Sequence, residues 1–185
     1  MITLETDRLI IRDNILEDFE DHHRLMSDPD IMSYLQDIQT HSKEESLENL
    51  KFSIEESNKD KRQCYFFAMV EKLTGDYVGS IGFTIVDLEE EKGKAEIGYF
   101  IHKEFWGKGY TTEATGRIIE FAFSDLKLHK LTIGCTEENS NSEKIMIKRG
   151  FRKEAHLVEH TYHNGQWKDR VVYGMLRREW EKDKQ

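Results

Sequence analysis

The chain has 185 residues, a net charge of −9, 37% hydrophobic residues and 11% aromatic residues. Ten Phe, seven Tyr and three Trp supply enough apolar surface for a packed core, which argues against global disorder. The acidic balance disfavours nucleic acid as the main partner, and no run in the sequence approaches the roughly 18 apolar residues of a membrane-spanning helix.

The first part of the chain predicts a strand followed by helices. The mixture of apolar and polar residues over residues 4–12 is close enough to alternation to predict one strand, with Leu9 and Ile11 on the same face. Asn14 is predicted to cap a helix that Pro29 ends.

A second helix and three consecutive strands follow. Ser42 and Glu45 have the spacing of a capping box, which predicts a helix start. The period then changes to that of strands at residues 64–71, 77–87 and 95–102. The short connections between these strands predict an antiparallel meander.

The last third of the chain predicts a helix, a strand, a short helix and a hairpin. Apolar residues recur at helical spacing after the glycine pair, at Ala114, Ile118, Phe121 and Ala122. A strand is predicted at residues 129–135, and a capping box from Ser140 to Glu143 opens a helix that Gly150 closes. Asn164-Gly165 then predicts the turn of a final hairpin.

The predicted order is β-αα-βββ-α-β-α-ββ, which is typical of one α/β domain over residues 1–185. Such an order gives a mixed, mostly antiparallel sheet with helices on both faces. Cys64 and Cys135 lie in apolar runs and form no C-x-x-C pair, so we expect free thiols in a reducing compartment. Because the N-terminus also lacks the pattern of a signal peptide, we expect a cytoplasmic protein.

Two glycines, Gly107 and Gly109, flank Lys108 immediately before a predicted helix. The first turn of a helix has N–H groups without intrahelical partners and carries about half a positive charge. Glycines at this point let a phosphate reach those N–H groups directly. The spacing excludes a P-loop, and Thr112 stands where a Rossmann fingerprint has its third glycine. A phosphate site and a simple tight turn both fit these residues.

Residues 106–111, Trp-Gly-Lys-Gly-Tyr-Thr, resemble the acyl-CoA diphosphate loop of the GNAT N-acetyltransferase superfamily. The family pattern is Arg/Gln-x-x-Gly-x-Gly/Ala, in which Gly109 matches the central glycine. Trp106 and Thr111 depart from the pattern at its two ends. The segments 4–12, 95–114, 139–151 and 162–180 are similar to the RimJ/RimL branch, which acetylates N-terminal amines of ribosomal proteins.

The resemblance implies an acetyl-CoA site without a metal. The pantetheine arm is expected to bond to the backbone of the strand before the loop, where one N–H also polarises the thioester carbonyl. The residues expected to contact acetyl-CoA are Tyr99, Phe100, Ile101, Trp106, Gly107, Lys108, Gly109, Tyr110, Thr111, Thr112, Asn139 and Ser142. The spacing of the His residues indicates no metal site.

The resemblance also implies direct attack by the amine in a ternary complex, with no covalent enzyme intermediate. Many relatives place a proton-donating Tyr where this chain has Met146, so Ser142 is the expected donor to the CoA thiolate. Glu96 is the leading candidate for the general base, and Tyr99, Glu159 and His160 are further candidates to face the acceptor.

The expected acceptor is the N-terminal amine of a protein, with a ribosomal protein favoured by the branch. A polyamine or small-molecule amine is an alternative acceptor, and a non-catalytic acyl-CoA sensor is an alternative function. The exposed strand of the last hairpin also makes a homodimer reasonable.

Overall fold

The computed structural model describes residues 1–35, 37–87, 93–163 and 165–183. Its strands are β1 (Thr3–Glu5), β2 (Leu9–Asp13), β3 (Cys64–Glu71), β4 (Tyr77–Asp87), β5 (Lys94–Ile101), β6 (Lys130–Thr136), β7 (Arg152–His163) and β8 (Gln166–Leu176). Its α-helices are α1 (Phe19–Ser27), α2 (Lys43–Ser57), α3 (Tyr110–Glu120), α4 (Ser140–Lys148) and α5 (Arg177–Asp183). Short 3₁₀ turns lie at Leu16–Asp18, Ile31–Tyr34 and Lys103–Phe105, and a π turn at Phe121–Asp125 follows α3.

The described strands form a mixed sheet in the order β1-β2-β3-β4-β5-β6-β8-β7. β5 and β6 pair in parallel, whereas β1 with β2, β2 with β3, β3 with β4, β6 with β8 and β7 with β8 pair antiparallel. The predicted α/β fold with a mostly antiparallel sheet is therefore confirmed. Asn164 lies outside the described residues, but Gly165 has φ +75° and the hairpin of β7 and β8 is present.

The predicted single N-terminal strand is wrong, because residues 4–12 contain a turn. β1 and β2 pair antiparallel, from Thr3 with Arg12 to Glu5 with Ile10. Thr6 makes the turn, since its N–H donates to the Leu9 carbonyl at 3.0 Å and its Oγ1 accepts from the Leu9 N–H at 2.9 Å. The turn falls in a run of four polar residues, 5–8, which the sequence analysis counted as part of one strand.

Two predicted helix caps are also wrong. Asn14 is buried, and its Nδ2 donates to Ser53 Oγ at 2.8 Å instead of capping a helix. At α4 the cap is Asn139, whose Oδ1 accepts from the Ser142 N–H at 3.1 Å, so Ser140 is the first helical residue. The helix begins at Ser140 as predicted, but Asn and Ser are nearly equal as caps, so the cap was assigned one residue too late.

The predicted start of α2 is confirmed in part. Ser42 Oγ accepts from the Glu45 N–H at 3.1 Å, as a capping box requires. The Glu45 carboxylate, however, accepts from the His41 N–H at 2.6 Å rather than returning to Ser42. The helix start is therefore placed correctly by the sequence, with a different partner for the glutamate.

The chain divides into two compact units. The first comprises Met1–Thr84 and Gly98–Arg117, and its buried residues include the cluster of Leu25, Ala68 and Tyr77. The second comprises Ile85–Ile97 and Ile118–Gln185. In the second unit the unpredicted helix α5 brings Trp180 within 5.5 Å of Phe123, ring centre to ring centre.

Within the part of the chain that the structure describes, no helix has the length and apolar character needed to cross a membrane.

Candidate active site

The glycine pair forms a left-handed turn at the entrance of α3. Gly107 has φ +72° and Gly109 has φ +81°, values that residues with a Cβ rarely adopt. The first intrahelical bond runs from the Glu113 N–H to the Gly109 carbonyl at 3.0 Å. The helix entrance therefore has the geometry at which backbone amides and the positive end of a helix can meet an anion.

The surroundings of the loop fit a phosphate group. A Cβ built on Gly107 would meet nothing within 4 Å, and Lys108 is exposed beside it. Trp106 has a different task, since its indole N–H donates to the Ile101 carbonyl at 3.0 Å. The family pattern has Arg or Gln at this position. In this chain Trp106 instead stabilises the loop through a hydrogen bond to the end of β5.

Arg8, which the sequence analysis did not single out, holds this loop. Its NH1 donates to the Lys108 carbonyl at 3.0 Å, and its Nε donates to Glu113 Oε2 at 2.7 Å. The guanidinium also lies 4.3 Å from the centre of the Tyr110 ring. Arg8 and Lys108 are 100 positions apart in the chain, and no local motif signals their contact.

The side chains of Tyr110 and Thr111, at the start of α3, are buried. The Tyr110 hydroxyl donates to the Glu71 carboxylate, and this hydrogen bond raises the pKa of Tyr110. Thr111 is buried, and its carbonyl accepts from the Thr115 hydroxyl at 2.7 Å. Backbone amides are therefore what residues 110 and 111 could offer to acetyl-CoA.

β5 supplies the strand to which the pantetheine arm is expected to bond. A Cβ on Gly79 would overlap the Phe100 carbonyl oxygen, so this glycine allows β4 to approach β5 closely. Phe100 packs against the buried cluster that contains Tyr77, and Tyr99 is half-buried. The parallel pairing of β5 with β6 comprises four residue pairs, from Lys94 with Lys130 to Ile97 with Ile133, although both strands extend further.

Glu96, the predicted base, is ion-paired in the second unit. Its Oε1 accepts from Arg170 NH2 at 2.8 Å, and 47% of its side chain is exposed. A Cβ on Gly134 would come within 2.9 Å of Arg170 NH2, so that glycine leaves room for the arginine. The pair fixes one carboxylate oxygen of Glu96 by a charge-assisted hydrogen bond.

Asn139 and Ser142, the predicted acetyl-CoA contacts at α4, both lie next to Cys135. The Asn139 carbonyl lies 3.7 Å from Cys135 Sγ. Burial raises the pKa of the Cys135 thiol, and a hydrogen bond from Ser142 opposes that rise. Because Oδ1 of Asn139 caps the helix, its Nδ2 hydrogens are what it could offer a pantetheine carbonyl.

The position of the usual donor tyrosine is part of the core. Met146 is fully buried on α4, which explains why it is apolar. Nearby, the Tyr173 hydroxyl donates to Glu143 Oε1 at 2.7 Å, and burial followed by this hydrogen bond raises the pKa of Tyr173 to about 12. Tyr173 therefore fastens α4 to the sheet and is a poor proton donor at neutral pH.

A small cluster of polar groups joins the end of β6 to the β7–β8 hairpin. Ligand atoms of Glu137, His156 and Asp169 lie within 4.8 Å of one another. His156 Nε2 is 2.6 Å from Asp169 Oδ2, a direct hydrogen bond that explains the short distance without a metal. Asp169 Oδ1 accepts from the Glu159 N–H at 2.9 Å, where Glu159 has φ +48°. The cluster shapes an irregularity in β7, next to His160.

The α/β fold is shared with known acetyltransferases, and sequence comparison gives the family. The chain matches the description "Acetyltransferase (GNAT) domain" over residues 8–152 and belongs to this family. It is an N-acetyltransferase, and acetyl-CoA is its co-substrate.

Similar proteins include members with different acceptors. The N-acetyltransferase p20 of Bacillus licheniformis, itself uncharacterized, is 30% identical over 97% of this chain and 99% of its own length. YdaF of Bacillus subtilis, provisionally named a ribosomal N-acetyltransferase, is 40% identical over 53% of this chain and 54% of its own. A structure of spermidine N-acetyltransferase from Vibrio cholerae with CoA and spermine has TM-score 0.82 and 24% identity, covering 95% of this chain and 99% of that one. The last similarity shows the fold alone.

Proposed function

We propose that this protein transfers the acetyl group of acetyl-CoA to the N-terminal α-amine of a protein, with a ribosomal protein as the favoured acceptor. The glycine turn at the start of α3 carries the acetyl-CoA part of the proposal. The identity to YdaF supports the acceptor part. In this proposal residues 1–185 form one catalytic domain.

Backbone groups bind most of the co-substrate in this proposal. The amides of residues 107–111 hold the diphosphate, and Lys108 adds a cation beside it. Backbone groups of residues 99–101 bond to the pantetheine arm, and one N–H there polarises the thioester carbonyl. A donor of that kind supplies roughly 2.7–4 kcal/mol of transition-state stabilisation. Thr112 contacts acetyl-CoA in this proposal because it lies in the first turn of α3. Asn139 binds a pantetheine carbonyl through Nδ2.

Two side chains assist the reacting groups in this proposal. Glu96 removes the proton from the attacking amine, directly or through one water molecule. The nitrogen then bonds to the acetyl carbon, and the carbon–sulfur bond breaks as CoA leaves. Ser142 donates a hydrogen bond to the departing thiolate. Since the nitrogen attacks the thioester itself, no enzyme nucleophile is needed.

The chemistry of the acceptor favours an α-amine over a polyamine. An N-terminal amine has a pKa of about 7.7–8.0, whereas an alkylamine such as Lys has a pKa of about 10.4. A substantial fraction of an α-amine is therefore neutral near pH 7, so it needs less assistance from a base. An exposed, Arg-paired carboxylate such as Glu96 suits this lighter task.

One observation favours a polyamine as the second candidate. The net charge of −9 suits a cationic acceptor, and the Vibrio cholerae protein of similar fold is a spermidine acetyltransferase. The two acceptors predict different pH profiles, because the pH at which the rate rises follows the pKa of the amine that must lose its proton.

The experiment supplies acetyl-CoA with a panel of ribosomal-protein N-terminal peptides, N-terminally blocked versions of the same peptides, spermidine and spermine. Released thiol and product mass are measured between pH 6 and 10. Acetylation of free but not blocked peptides supports the proposal, and turnover of polyamines alone replaces it with the second candidate. CoA binding without turnover of any amine would favour a non-catalytic acyl-CoA sensor.

A homodimer is a further part of the proposal. β7 ends the strand order, and exposed apolar residues lie on the hairpin at Val158, Tyr162 and Trp167. Sedimentation of the wild type and of Trp167→Ser checks it: a mass of two chains that falls to one in the variant supports this interface. A single-chain mass in the wild type refutes it.

A further inference from the structure

We infer that Arg8 is a positioning residue for the acetyl-CoA diphosphate, acting through the Lys108–Gly109 peptide. This inference rests on the proposed diphosphate site at residues 107–111. Arg8 does not touch the reacting atoms; its effect is to hold one amide of the loop in the orientation that binds an anion.

Arg8 is itself firmly held. Its backbone N–H donates to Glu113 Oε1 at 2.9 Å, and its carbonyl accepts from the Lys72 N–H at 2.9 Å. Its NH2 lies 2.6 Å from Glu113 Oε2, and the Thr6 hydroxyl donates to Oε1 of the same carboxylate at 2.5 Å. These contacts fix the backbone and the guanidinium of Arg8 beside the loop.

The Lys108–Gly109 peptide needs such a partner. A glycine adopts positive and negative φ at similar cost, so a peptide beside Gly109 can rotate between two orientations. In a planar trans peptide the C=O and the N–H point in opposite directions. Because Arg8 binds the Lys108 carbonyl at 3.0 Å, the Gly109 N–H is directed away from Arg8. The contact thus selects the orientation in which this amide is available to a ligand.

Charge alone predicts a different result from positioning. Arg8 is a cation and Glu113 an anion, both beside the proposed diphosphate site. If they acted only through their fields, removing Arg8 would weaken CoA binding and removing the Glu113 charge would strengthen it. If Glu113 holds Arg8 in place, removal of either one weakens binding.

The experiment measures the Kd for CoA by calorimetry for the wild type, Arg8→Ala, Arg8→Lys, Glu113→Gln and the double variant Arg8→Ala/Glu113→Gln. Arg177→Ala is the matched control, because Arg177 also donates to a backbone carbonyl, that of Lys127 at 3.0 Å. Thermal unfolding reports the stability of each variant, and acetyl transfer is compared between acetyl-CoA and S-acetylpantetheine, which has no diphosphate.

We expect the Kd for CoA to rise about tenfold in Arg8→Ala, the ratio that one charged hydrogen bond supports. Glu113→Gln should weaken binding in the same direction, and the double variant should be no weaker than Arg8→Ala. Arg8→Lys should resemble Arg8→Ala, because one ammonium does not reproduce the planar fork. The value of kcat with saturating acetyl-CoA, and kcat/KM with S-acetylpantetheine, should stay at the wild-type level.

Three outcomes would overturn the inference: wild-type affinity in Arg8→Ala, tighter binding in Glu113→Gln, or an equal loss with S-acetylpantetheine and acetyl-CoA. A wild-type protein that fails to bind CoA would instead refute the proposed site itself.

Discussion

Gly109→Asp tests the diphosphate site most directly. The change places a carboxylate among the amides that are proposed to bind the phosphate groups. A Cβ at this position would lie 3.6 Å from Arg8 NH2, so the new carboxylate would also compete with Glu113 for Arg8. Both effects act against CoA.

The magnitude follows from the charges. Two unit charges about 4 Å apart repel each other by about 4 kcal/mol at an effective dielectric constant of 20. The loop is exposed and solvent screens it, so we expect a loss of about 2 kcal/mol, equivalent to a Kd about thirtyfold higher.

Gly109→Ala separates this effect from backbone strain. Gly109 has φ +81°, where a side chain costs roughly 1–2 kcal/mol, and Asp tolerates this region better than Ala. Strain alone therefore predicts that Gly109→Ala loses more CoA affinity than Gly109→Asp. The charge argument predicts the opposite order. Calorimetric titration with CoA, alongside thermal unfolding, distinguishes them. Equal CoA affinities in the two variants would refute our placement of the diphosphate.

Three other changes test the proposed chemistry and one consequence of burial. Ser142→Ala should lower kcat by roughly tenfold to a hundredfold, with little change in the KM for acetyl-CoA. Glu96→Gln should lower kcat/KM for the acceptor about a hundredfold near pH 7 and less at pH 9, where the amine is already neutral. Burial lowers the pKa of His22, so the unfolded chain binds its proton more readily. Stability should therefore fall as the pH drops below about 6.5, and His22→Gln should flatten that decline.

Each of these changes has a matched control. Ser140→Ala alters another serine in the first turn of α4. Glu138→Gln removes an exposed carboxylate that is ion-paired with Lys168, much as Glu96 is paired with Arg170. His129→Gln alters an exposed histidine. Control variants that reproduce the kinetic losses, or a pH profile of unfolding that His22→Gln leaves unaltered, would contradict the assigned roles.

Periodicity and turn chemistry determined most of the elements. Ranges such as Cys64–Glu71 and Tyr77–Asp87 were predictable because alternation and turn residues act over short distances along the chain. The glycine turn was predictable for the same reason, since positive φ at Gly107 and Gly109 is a local requirement. The split of the N-terminal strand was not predicted, because the polar run at residues 5–8 fits an exposed stretch of strand as well as the turn that Thr6 and Leu9 close.

The tertiary structure decided which groups meet. Arg8 lies 100 positions before Lys108, and Glu96 lies 74 positions before Arg170, so neither contact leaves a signal in a single sequence. A local pattern records which conformations a segment can adopt at low cost. Which side chain then braces a turn or pairs with a carboxylate depends on strand register and chain reversal, which arise only when distant segments pack.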